Sequence, residues 1–97
     1  MQNYQYPIDL DWSHEEMTKV IALWNAVESA YETGINRDEF LSKYRAFKEV
    51  VPSIGEEKRY GKAFERESGY SLYHVVKNAK ESTNQKIQMK SNKEGRK

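Results

Sequence analysis

Cysteine is absent from this 97-residue chain. A disulfide framework, a thiolate metal site and a thiol nucleophile are excluded together, so packing has to hold the fold. Proline occurs twice, and no segment is Pro-rich, Gln-rich or collagen-like. No internal repeat is visible. No apolar run approaches the ~20 residues that a membrane span needs. The N-terminal MQNYQYPIDL lacks a basic leader followed by an apolar stretch, so a cytoplasmic protein is expected. A formal net charge of +1 gives no overall reason to expect nucleic acid or acidic lipid as a partner.

What is present is one modest domain's worth of sequence, with 37% hydrophobic and 32% charged residues. That is polar for a globular protein but apolar enough for a small core. Seven Tyr, three Phe and two Trp make the expected interior aromatic rather than Leu-rich. Charge is unevenly spread. Residues 1–76 carry nine Lys and Arg against thirteen Asp and Glu, whereas residues 77–97 carry seven against two. The basic segment is mostly polar, with Ile87 and Met89 its largest apolar residues. It is expected to leave the globular body.

Helix starts are written locally. Ser13 with Glu16, Asn36 with Glu39 and Ser53 with Glu56 each have capping-box spacing, which lets a short polar side chain accept an N3 amide while the carboxylate reaches back. Met17, Val20, Ile21, Trp24, Val27 and Tyr31 then form an apolar stripe of helical period, stopped at Gly34. Phe40, Leu41, Tyr44, Phe47, Val50 and Val51 form a second, stopped by Pro52. The short connection makes these two helices antiparallel neighbours. A third helix carries Tyr60, Ala63 and Phe64 and stops near Gly69. Gly55 and Gly61, each costing about 1 kcal/mol relative to Ala, predict that it is short and irregular. Tyr70, Leu72, Tyr73, Val75 and Val76 open a fourth helix that fades beyond Ala79. Before all of these, Tyr4, Tyr6, Ile8, Leu10 and Trp12 alternate with polar residues or Pro7, the period of an extended chain with one buried face. Such an arm either lies in a groove between helices or packs onto a second copy.

The run YQYPIDLDWS, continued by MTKVIALWNAVESAYE, FKEVVPS and SGYSLYHVV, resembles the YktA-like family of small uncharacterised proteins (UPF class) from Firmicutes, over residues 4–76. The resemblance implies an all-helical fold in a Gram-positive bacterial cytoplasm. It carries over no catalytic residue or ligand.

Read for chemistry, the chain offers little. His14 and His74 lie in different helices, and neither has a ligand-type neighbour one turn on. Asp11 and His14 straddle a helix start, where an exposed first-turn histidine is the simpler reading. His74, beside Tyr73 and Val75, reads as a residue at the core edge rather than a proton carrier. There is no GxSxG turn. Gly55, Gly61 and Gly69 are too scattered to cradle phosphate. The acidic pairs Glu15–Glu16 and Glu56–Glu57 sit where a helix dipole favours them. No catalytic, metal-binding or cofactor-binding residue is assigned, and the chain reads as a non-enzyme.

Two features are candidates for binding. Tyr4, Tyr6, Trp12, Tyr70 and Tyr73 exceed what four short helices need for a core, and an exposed aromatic patch would anchor a protein partner or self-association. Alternatively, these side chains cover the ends of the core. The second feature is basic: Lys58, Lys62 and Arg66 on helix three, with Lys86, Lys90, Lys93 and Lys97 in the tail, form stripes suited to nonspecific RNA or DNA binding if helical. The alternative is a solvated face and a solubilising tail. The expectation is thus a small antiparallel bundle of about four helices over residues 13–81, an extended arm over 1–12 and a flexible basic tail over 82–97. A protein-interaction module is preferred over a nucleic-acid binder.

Overall fold

Four short polar side chains start the four helices. Ser13, Asn36, Ser53 and Ser71 each accept the backbone amide of the residue three positions on, at 3.1, 3.0, 3.3 and 3.1 Å. The computed structural model describes residues 6–89. It contains α1 (His14–Glu32), β1 (Ile35–Asn36), α2 (Arg37–Val50), α3 (Ile54–Ser68), α4 (Leu72–Glu81) and β2 (Lys86–Ile87). At α1 the reciprocal bond also forms, from the Ser13 amide to the Glu16 carboxylate at 2.8 Å. Glu56 instead pairs with Arg59 at 3.7 Å. The result is a compact, mostly helical globule with a minimal two-stranded sheet.

The core is built on α1, whose buried residues are Val20, Leu23, Trp24, Ala26, Val27 and Ala30. This face is wider than the predicted stripe, because α1 contacts α2, α4 and the N-terminal segment at once. Trp24 stacks on Phe64 of α3 with ring centroids 4.7 Å apart and meets Phe47 of α2 edge-on at 5.7 Å. Truncating a fully buried aromatic such as Phe64 to Ala would cost about 3–5 kcal/mol. The interior is aromatic, as its composition predicts.

Three expectations are corrected. α3 is neither short nor irregular: it runs for 15 residues and ends on Gly69 in the left-handed conformation. Burial of Tyr60 and Phe64, with caps at both ends, outweighs the low propensity of its two glycines. The basic segment does not leave the body at residue 82. Ile35 pairs with Ile87 and Asn36 with Lys86 in an antiparallel ladder. The Met89 amide donates to the Ala30 carbonyl at 2.7 Å, satisfying a carbonyl near the end of α1. Ile87 is 1% exposed, so one apolar residue in a polar stretch anchors the chain. Lys86 therefore sits on a strand, not on a helical basic face.

The arm also departs from strict alternation. Tyr6, Ile8 and Trp12 pack against the core, and the Pro7 carbonyl accepts the Trp24 indole N–H at 3.1 Å. The Asp9 carboxylate, however, accepts the Asp11 amide at 2.9 Å, and the Trp12 amide donates to the Asp9 carbonyl at 3.0 Å. This local turn ends the extended segment before Trp12 and throws Leu10 outward. Leu10 is 82% exposed.

Candidate functional site

α3 uses two faces. Tyr60, Phe64 and Ser68 point into the core, while Ile54, Glu57, Lys58, Gly61, Lys62 and Glu65 recur at helical spacing along one wall of an open groove. The opposite wall is α4, through Leu72, Tyr73, Val76 and Lys80, with Tyr44 of α2 at one end. The groove encloses about 650 Å³. Leu72 and Val76, 3% and 8% exposed, are nearly buried and form the apolar base of the α4 wall, the floor of the groove. Ile54 and Tyr73 flank it, and both are 65% exposed.

Gly61 is the unusual member of this wall. A Cβ there would meet Leu72 at 3.6 Å, an ordinary contact, so packing does not demand glycine. Yet glycine in mid-helix costs about 1 kcal/mol relative to alanine. A local rule is broken where the core does not require it, and such positions concentrate at functional sites.

Charge around the groove is unequally settled. The Glu57 carboxylate accepts from the Tyr44 hydroxyl at 2.7 Å and from the Lys48 ammonium at 2.7 Å. Burial first, then the bond to Glu57 and its charge, hold the Tyr44 hydroxyl protonated well above the usual tyrosine range. The Lys80 ammonium lies over the Tyr44 ring, 5.6 Å from its centre. Lys58 and Lys62, one turn apart on α3, have no ion-pair partner among the described residues. The Ser71 hydroxyl is taken up by the α4 cap. Among the described residues no three His, Asp or Glu side chains converge. The arrangement is suited to holding a surface, with an apolar floor and cations on the rim.

The aromatic residues singled out from sequence do not form one patch. Tyr6 lies against Phe64 at 6.1 Å, and its hydroxyl donates toward Glu28 at 2.9 Å. Trp12 packs on Tyr60 at 5.4 Å. Tyr70 stacks on Tyr31 at 4.5 Å and donates to Glu32 at 2.8 Å. Tyr6 and Trp12 thus cover successive turns of α3, and Tyr70 covers the end of α1. Tyr73 alone of the described four faces outward, its ring edge-on to His74 at 5.4 Å. Tyr4 lies outside the described residues.

Of the basic residues, Lys58 and Lys62 line the groove, Arg66 lies further along the exposed side of α3, and Lys86 is on β2 beside Gly34. Lys90, Lys93 and Lys97 lie outside the described residues. Ile54 escaped the sequence reading. Its signal was an apolar residue in the first turn of α3, off the stripe formed by Tyr60 and Phe64. Among the described residues no helix is long and apolar enough to cross a membrane.

The family described as "Uncharacterised protein family (UPF0223)" matches residues 3–88, and so extends through β2. A UPF0223 protein of Enterococcus faecalis is 54% identical over 89 residues, covering 92% of this chain and 97% of the relative. One of Staphylococcus saprophyticus is 51% identical over 84 residues, covering 87% and 91%. One of Bacillus pumilus is 56% identical over 79 residues, covering 81% and 89%.

Proposed function

This chain belongs to the UPF0223 family, and we propose that it is a non-catalytic protein-interaction module of the bacterial cytoplasm that binds its partner in the α3–α4 groove. The observation that carries this reading is the pair of 65%-exposed hydrophobics, Ile54 and Tyr73, on either side of an apolar floor. Protein interfaces are built around such apolar and aromatic anchors with a polar rim. The competing reading, a nucleic-acid binder, draws on Lys58 and Lys62. It leaves the exposed Ile54 without a role, and a phosphate backbone, charged along its whole length, would meet Glu65 as well as the lysines.

The test is affinity capture from a Firmicutes lysate with the full-length chain and with an Ile54→Asp, Tyr73→Asp double variant, each with and without nuclease. Both positions are exposed, and Asp in a first helical turn is compatible with the dipole, so the variant keeps its fold by circular dichroism. A stoichiometric protein that survives nuclease and is lost with the variant is the expected result. Equal capture by both proteins, or recovery only of nuclease-sensitive material, overturns the reading.

A further inference from the structure

We propose that the occupant of the α3–α4 groove is a short acidic amphipathic helix of a partner protein. This rests on the interaction-module reading above and adds the chemistry of the partner. The first observation is length. Ile54 and Lys62 stand eight residues apart on α3, about 12 Å, and Tyr73 and Lys80 seven residues apart on α4, about 10 Å, at the rise of an α-helix. About two turns of a docked helix fit that span, with apolar side chains at i, i+3 or i+4, and i+7 reaching Ile54, Leu72, Val76 and Tyr73.

The second observation concerns the backbone. Both walls are helices, whose main-chain donors and acceptors are used internally. An extended segment would therefore face the apolar floor with unmet amides and carbonyls, whereas a helix brings its own backbone already paired. Gly61 fits the same occupant: a wall residue without a side chain lets a second helix approach closely, as small residues do at other helix crossings.

Charge selects the sign. Glu57 is held by Lys48 and Tyr44, which leaves Lys58, Lys62 and Lys80 without an ion-pair partner among the described residues against one carboxylate, Glu65, so the rim stays positive. Carboxylates flanking the apolar stripe of the incoming helix complete these pairs. A second copy of this chain would set a rim of net positive charge against an identical one, so it matches the groove less well than a helix bearing carboxylates.

The experiment selects displayed random peptides of about 16 residues, long enough for a marginal helix, on the full-length chain. Binding of the winners is then compared across the Ile54→Asp, Tyr73→Asp double variant, a Lys58→Glu, Lys62→Glu double variant and Gly61→Ala. The expected winners have helical apolar spacing with Asp or Glu beside it. Either double variant weakens them at least about tenfold, and Gly61→Ala weakens them severalfold while raising the Tm. Because Gly61→Ala favours the helix, loss of binding there cannot be blamed on unfolding. Winners that depend on the groove but are basic, neutral or without helical period overturn the acidic helix and leave the interaction module standing. No winners, or winners indifferent to all three variants, overturn both. Tighter binding of a fluorescent oligothymidylate, lost with Lys58→Glu, Lys62→Glu, overturns the proposal in favour of nucleic acid.

Discussion

The Arg37 guanidinium donates its Nε hydrogen to the main-chain carbonyl of Ala79 at 2.7 Å, so the first residue of α2 closes the last turn of α4. The Arg37 amide meanwhile donates to the Gln85 carbonyl in the stretch leading to β2. One residue thus ties three parts of the chain. Ala79 is fully buried and its carbonyl is among the last four of α4, which have no partner within the helix. A cation at this end also complements the helix dipole.

Arg37→Met keeps much of the aliphatic stem and removes the donor. Charge-assisted hydrogen bonds contribute about 1.5–3 kcal/mol, so a loss near 2 kcal/mol in urea unfolding is expected. Hydrogen exchange should show amides around residues 85–87 opening more readily than those of α1. An unchanged urea midpoint would show that water replaces the guanidinium without cost.

Gly34 has a backbone φ of +91° and hands the chain from α1 to β1. A Cβ there would collide with the Lys86 side chain and lie 2.9 Å from the Gln88 amide oxygen. The lysine end can swing away, but the backbone angle cannot relax without moving β1. Gly34→Ala is expected to cost about 1–2 kcal/mol, and adding Lys86→Ala should recover little of it. Full recovery in the double variant would assign the cost to the collision instead.

These two residues also divide what the sequence discloses from what it hides. Cap chemistry acts over three residues, so Ser13, Asn36 and Ser53 declared the helix starts, and Gly34 and Gly69 the stops, without any knowledge of the fold. The Ile35–Ile87 pairing spans most of the chain and involves strands of two residues. No local pattern encodes it, and the polar residues around Ile87 read as solvated tail. The groove was half visible. Gly61 stood out as a poor helix residue, but its meaning depends on α4 lying opposite. Tyr70 and Tyr73, adjacent in pattern, differ by which side of α4's start each faces, a choice made by the α3–α4 turn.

That difference is measurable. Tyr70 stacks on Tyr31 and bonds Glu32, so Tyr70→Ala removes packed aromatic area and should destabilise by about 2–3 kcal/mol. Tyr73 is 65% exposed on a helix, so Tyr73→Ala should change stability by less than about 0.5 kcal/mol. Thermal unfolding of the two variants decides it. Equal losses would mean that Tyr73 is part of the fold and no free anchor for a partner.

Tyr6 gives the arm a pH dependence. Burial, then the hydrogen bond to Glu28 and the Glu28 charge, then the charge of Glu32, push its hydroxyl from the ordinary 10 up to about 12. The neutral phenol donates to a carboxylate. The phenolate would lose that donor and face two like charges. The folded chain therefore holds this proton more tightly than the unfolded chain, and the contribution is complete below about pH 10 and lost as the pH rises toward about 12. Tyr31 and Tyr44 are raised as well, but a Tyr6→Phe variant keeps both, so subtracting its stability from that of the wild type isolates Tyr6. Urea unfolding from about pH 8 to about pH 11 should show a constant advantage for the wild type at the lower end that shrinks at the upper end. An advantage that stays flat, or that grows with pH, would mean that the Tyr6 hydroxyl is not held by Glu28 in solution and that the arm docks through Ile8, Trp12 and the Pro7 carbonyl alone.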